Sequence, residues 1–218
     1  FRSSCYYLRG MFLNRARNGL SASLNDRFII NALLITLSVL LLFNSLYFSS
    51  LQNISASKFL DYQDTLYAFK IEYPADWEKI PFLQGITQGP HNMVVNFLSP
   101  SRGPSDTFRE YLLIETANVT SFSNLSTFSK QELSFLEQSF PHFTPVQIMS
   151  NSSLAGHDAY TVVFTYGDPI AGTVKAMQEW TINGSKAYIL SYHADSNNYV
   201  SYLPTIETMI KSFEILPK

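Results

Sequence analysis

Between Tyr160 and Tyr166 apolar and polar side chains alternate. Tyr160, Val162, Phe164 and Tyr166 take one face, and Thr161, Val163 and Thr165 take the other. A period of two is the mark of a β-strand. The next stretch repeats it. Val174, Ala176, Trp180 and Ile182 share one face, while Lys175, Met177, Glu179 and Thr181 share the opposite one, where Glu179 is expected in solvent. Asn183-Gly184 then predicts a type I′ hairpin turn, because both central residues of such a turn need positive φ. The return arm is Ala187–His193. Shorter strands are predicted at Tyr67–Tyr73, Met93–Leu98, Glu110–Asn118, Val146–Ser150 and Phe213–Leu216, separated by Gly- and Pro-bearing loops.

Two segments change period. Over residues 126–139, Phe128, Leu133, Leu136 and Phe140 lie near one helical face, Ser129 and Glu132 have capping-box spacing, and Pro141 closes the element. Near the C-terminus Tyr199, Leu203, Ile206, Ile210 and Phe213 recur every three or four residues, with Pro204 in the first turn or splitting off a preceding one. Strands, helix, antiparallel strands, helix and strand in that order predict an α+β fold, a mainly antiparallel sheet flanked by helices.

The run Phe28–Phe48 is different again. It is apolar with no ionised residue, and it has the length of a membrane-crossing helix. Five arginines precede it within residues 1–27 against one aspartate, a charge of +4. That bias places the N-terminus in the cytoplasm and the bulk of the chain outside. The expected organisation is a basic cytoplasmic segment (1–27), one transmembrane anchor (28–48), a polar tether (49–64) and an extracytoplasmic domain (65–218). The alternative is a signal peptide cleaved near Ser55-Ala56-Ser57, which would release a secreted domain.

Charge and composition narrow the partners. The net charge of −2 leaves −6 beyond residue 27, so the domain lacks the basic face that nucleic acid requires. Cys5 is the only cysteine, which excludes a disulfide framework and a cysteine nucleophile in the domain. Five Asn-x-Ser/Thr sequons, at Asn53, Asn118, Asn124, Asn151 and Asn183, all follow the anchor, either as glycan acceptors on an exported domain or as plain polar loop residues.

Candidate chemistry is sparse. There is no Gly-rich phosphate loop, HExxH or GxSxG. His193 and Asp195 offer two metal ligands at a strand end. Alternatively, Asp195 or Ser196 caps the following helix. Asp76-Trp77-Glu78 puts two carboxylates beside an aromatic, either a general acid/base pair in a hydrolase or ligand receptor, or a turn that anchors a core tryptophan.

Three segments, in order, resemble one family. FKIEYPADWEKI (residues 69–80), SLAGHDAYTVVFTY (153–166) and AYILSYHADSNNYVSYLPTIETMIKSFEI (187–215) are similar to the opening strand, the Gly-x-x-Ala-Tyr strand and the closing strand-helix of PsbP-like domains. The resemblance implies an α–β–α sandwich, the fold of extrinsic oxygen-evolving proteins of photosystem II. Together with the anchor and the missing catalytic constellation, the ordered segments lead to the expectation of a non-catalytic accessory or assembly module that binds a protein partner. An ion such as calcium or manganese, or a structural place in the cell envelope, are the alternatives it leaves open.

Overall fold

The computed structural model describes residues 58–119 and 124–217. The expected cytoplasmic segment, the anchor, residues 49–57 of the tether and Asn53 lie outside them. Among the described residues no helix is long and apolar enough to cross a membrane.

Alternation becomes a sheet whose strands all pair antiparallel. In chain order the elements are β1 (Phe59–Asp64), β2 (Phe69–Pro74), β3 (Glu78–Pro81), β4 (Thr87–Gln88), β5 (His91–Leu98), β6 (Tyr111–Asn118), α1 (Leu125–Ser139), β7 (Thr144–Leu154), β8 (His157–Asp168), β9 (Gly172–Asn183), β10 (Lys186–Asp195), α2 (Tyr199–Ser212) and β11 (Glu214–Ile215). The main sheet runs β3-β5-β6-β10-β9-β8-β7, with β4 on β5, and a small sheet runs β1-β2-β11.

Side-chain alternation gives the main sheet two apolar faces. Val162, Phe164, Val174, Ala176, Trp180 and Ile189 meet Phe128 and Leu136 of α1 in one core. Leu112, Ile114, Leu190 and Tyr192 meet Ile206 and Met209 of α2 and Phe69 and Ile71 of β2 in the other. The result is an α–β–α sandwich with the small sheet beside α2. Both faces of this sheet are covered, so polar alternation within it no longer means solvent.

Several expectations change in detail. Phe59–Asp64, expected as tether, is strand β1, paired from Phe59 opposite Pro74 to Asp64 opposite Phe69. Only Phe59 and Tyr62 of its apolar side chains pack on the core, so it carries no clean period. The hairpin pairs Asn183 with Lys186, which makes Gly184 and Ser185 the central residues. Only Gly184 has positive φ (+63°), the pattern of a type II′ turn rather than I′. Asn124, not Ser129, caps α1: its side chain accepts the Thr127 N–H at 2.9 Å. Pro204 falls in the second turn of α2, because the helix starts at Tyr199. Glu179 is only 8% exposed. Burial pushes its carboxyl above the usual range, while hydrogen bonds from Thr161 and Ser152 oppose the shift. The expected turn Asn151–Ser153 lies inside β7.

A close approach locks the β4–β5 turn to α1. Gly89 has φ +57°, and a Cβ there would stand 2.4 Å from the Phe135 ring. Gly89→Ala is expected to cost about 1–3 kcal/mol from strained backbone and overpacking. Urea denaturation would read it as a lower midpoint at unchanged slope, and an unchanged midpoint would contradict the tight contact.

Candidate functional site

One end of the main sheet gathers the charged and aromatic side chains. The segment between β5 and β6 folds over that end, and Glu110 anchors it. Glu110 is fully buried. Its oxygens accept from Ser99 Oγ at 3.2 Å and from Asn198 Nδ2 at 2.9 Å, and Arg102 lies 3.4 Å away. This ties the loop to the start of α2. Asp106 accepts from the backbone N–H of Arg102 at 2.9 Å and from its guanidinium at 2.8 Å. Those bonds hold the Asp106 carboxyl below its ordinary range. Arg109 completes the brace, donating to Ser99 O and Glu78 Oε2, each at 2.6 Å.

The Arg102 side chain stays 42% exposed despite these bonds. It forms one wall of a cleft of about 320 Å³ whose other walls include Trp77, Pro100 and Tyr202. Trp77 is buried and meets Tyr202 edge-on at 6.1 Å. Exposed Ile170, in the β8–β9 turn, and Val200, at the start of α2, lie at the same end of the sheet. The cleft thus sets an oriented guanidinium beside a Trp–Tyr pair.

The carboxylates next to Trp77 do not converge. Asp76 is exposed and lines the cleft, whereas Glu78 is held by Arg109 and stands outside the lining. The hydrolase or receptor built on this pair therefore loses its geometry, since acid/base work needs both groups on one substrate.

His193 and Asp195 stand two residues apart on β10, but their side chains are otherwise engaged. His193 stacks on Tyr111 (4.8 Å, 14° between planes), packs against Phe140 and Phe164, and shares a 3.0 Å hydrogen bond with the Tyr166 hydroxyl through Nδ1. Burial pushes its imidazole down to about 3, so it is neutral. Asp195 accepts from the Asn197 N–H at 2.8 Å and from Asn197 Nδ2 at 3.0 Å. Among the described residues no group of three His, Cys, Asp or Glu could hold a metal. Calcium takes six to eight oxygens. An aromatic-caged imidazole and one turn-forming carboxylate do not fit it or manganese.

A second buried cluster escaped sequence reasoning. His91 is nearly fully buried between Glu132 of α1, 2.9 Å from Nε2, and Glu115 of β6, 3.7 Å from Nδ1. The second distance is a charge contact beyond hydrogen-bond range. Burial pulls the imidazole pKa down, but the two carboxylates win and lift it to about 9. Phe135 closes the cluster edge-on at 4.9 Å. The signal was present in α1, where Phe128, Glu132 and Leu136 occupy one stripe at spacings of four.

The sequon asparagines Asn118, Asn124, Asn151 and Asn183 are all exposed.

No protein-family model matches this chain, and no curated protein does. Solved structures do. The solution structure of cyanobacterial PsbP (CyanoP) from Synechocystis sp. PCC 6803 aligns with a TM-score of 0.55 at 15% identity, covering 75% of this chain and 95% of that one. LpqN of Mycobacterium tuberculosis, a protein involved in cell envelope biogenesis, aligns with a TM-score of 0.50 at 11% identity, covering 76% and 88%. The fold is PsbP-like.

Proposed function

We propose that this PsbP-like chain is a membrane-anchored accessory or assembly module that binds a protein partner outside the cytoplasm and performs no catalysis. The observation that carries it is the cleft at Arg102, Trp77 and Tyr202, where an exposed guanidinium is fixed by Asp106 beside an aromatic pair. Preorganisation of this kind lowers the ordering cost of association. The apolar run Phe28–Phe48 and the arginines before it support the anchor and its orientation. The charge of −6 beyond residue 27 supports a partner other than nucleic acid.

The test is crosslinking and capture of the full chain from detergent-solubilised membranes, comparing wild type with Arg102→Ala and Val200→Glu. Val200 is 72% exposed, so its replacement leaves the core intact. A discrete partner recovered with wild type is expected to fall at least about tenfold in both variants, the loss of a hot-spot residue. Thermal unfolding checks that each variant is folded. Equal recovery from folded variants would remove the cleft as the docking site.

A further inference from the structure

The strand register sorts the sequon asparagines to one end of the domain. Asn118 closes β6 and Asn183 closes β9, and both pair with Lys186 at the start of β10. Asn151 of β7 lines a groove of about 510 Å³ with Leu125 and Ser126 of the first turn of α1, directly after the Asn124 cap. The turn at Ala155-Gly156, the β1–β2 turn and the β3–β4 loop also lie at this end. They expose Leu66 and Leu83, the latter by 80%. The cleft at Arg102, the β8–β9 turn and the first described residue, Lys58, whose carbonyl accepts from Ala75, belong to the opposite end.

We propose that this end is a glycan-bearing face, with N-linked oligosaccharide on Asn118, Asn124, Asn151 and Asn183. The sugars cover Leu66 and Leu83 and leave the cleft end free. The local structure suits each acceptor. The α1 cap uses only Oδ1 of Asn124, so Nδ2 can carry sugar without uncapping the helix. Asn183 flanks a two-residue turn and Asn118 ends its strand, both with exposed side chains. In the transfer, Nδ2 bonds to the anomeric carbon of a polyisoprenyl-phosphate-linked oligosaccharide. The carbon–phosphate oxygen bond breaks, the lipid phosphate leaves with the electron pair, and Nδ2 gives up one proton. The donor is a lipid of the same membrane, and a membrane oligosaccharyltransferase with its active site on the outer side catalyses the transfer.

This rests on the extracytoplasmic placement proposed above, and the experiment separates the two. Intact source cells are treated with protease to ask whether the domain is accessible. The full chain, purified from the membranes of untreated cells, is digested and its peptides weighed. The expected result is an accessible domain whose peptides bearing the four asparagines are heavier by hexose or hexosamine increments, with one increment lost in Asn183→Gln. An accessible domain with all four asparagines at unmodified mass overturns the glycan face and leaves the placement standing. A protected, unmodified domain overturns both. Sugar on Asn53 alone also overturns the glycan face.

Discussion

Raising the pH from about 6.5 to 9.5 is expected to weaken the folded domain by about 3 kcal/mol, and His91→Leu is expected to abolish that alkaline loss. The sign follows from the direction of the shift. The native imidazole sits at about 9 and the unfolded one near 6.5, so the native state holds the extra proton between them. Its stabilisation is complete below about 6.5 and is lost as pH rises through about 9. The groups facing the ring are Glu115 from β6, Glu132 from α1 and the Phe135 edge. At neutral pH His91→Leu strands both carboxylates and should cost about 3–5 kcal/mol. Replacing all three polar residues with apolar ones of similar volume should recover much of it. His193 acts in the other direction. Its depressed pKa makes the unfolded state take up the proton first as pH falls below about 6.5, so stability declines on the acid side. Urea midpoints across pH 4–10 should therefore peak near neutrality, and a flat alkaline limb in the wild type would refute the charged clamp.

Trp180→Ala should bring the domain close to unfolding. Trp180 is fully buried where β9 meets α1, stacks on Tyr160 at 5.0 Å, and donates from Nε1 to Ser129 Oγ at 2.9 Å. Ser129 in turn donates to the Leu125 carbonyl at 2.7 Å. The cavity costs about 3–5 kcal/mol, set against a total stability of about 5–15 kcal/mol for a domain of this kind. Trp180→Phe retains most of the ring packing and loses the hydrogen bond, a smaller loss of about 1–2 kcal/mol. Far-UV circular dichroism during urea titration distinguishes these outcomes. Equal midpoints for the two variants would show that the hydrogen bond, rather than ring volume, holds α1 to the sheet.

The elements with clean periodicity were legible in the sequence. β8, the inward positions of β9 and both helices follow from spacing alone, because in each the local apolar period coincides with packing on a core. Failures came where that premise breaks. Glu179 alternates correctly, but its face is covered too, so polarity did not mean exposure. β1 borrows its strand character from β2, which a local period cannot reveal. Asn183-Gly184 marked the hairpin, but Asn183 still pairs across the ladder, which moves the turn on by one residue. The metal expectation read proximity along β10 without the aromatic ring around His193. The cleft was invisible because Trp77, Arg102 and Tyr202 come from three separated segments. The sequence shows each side chain, and only the tertiary fold sets them side by side.

The pairing of β11 with β2 has a kinetic consequence. Glu214 and Ile215 sit opposite Lys70 and Phe69, and Phe213 packs on the Phe69 ring at 5.3 Å. β2 therefore waits for residues 214 and 215, far along the chain. Contacts so distant in sequence slow the search for the native state. While the chain is still emerging during synthesis, β2 has β1 beside it but an open opposite edge, and open edges invite mispairing. A nascent chain stalled before residue 213 should stay protease-sensitive across β1 and β2, and become resistant only once residues 213–215 have emerged.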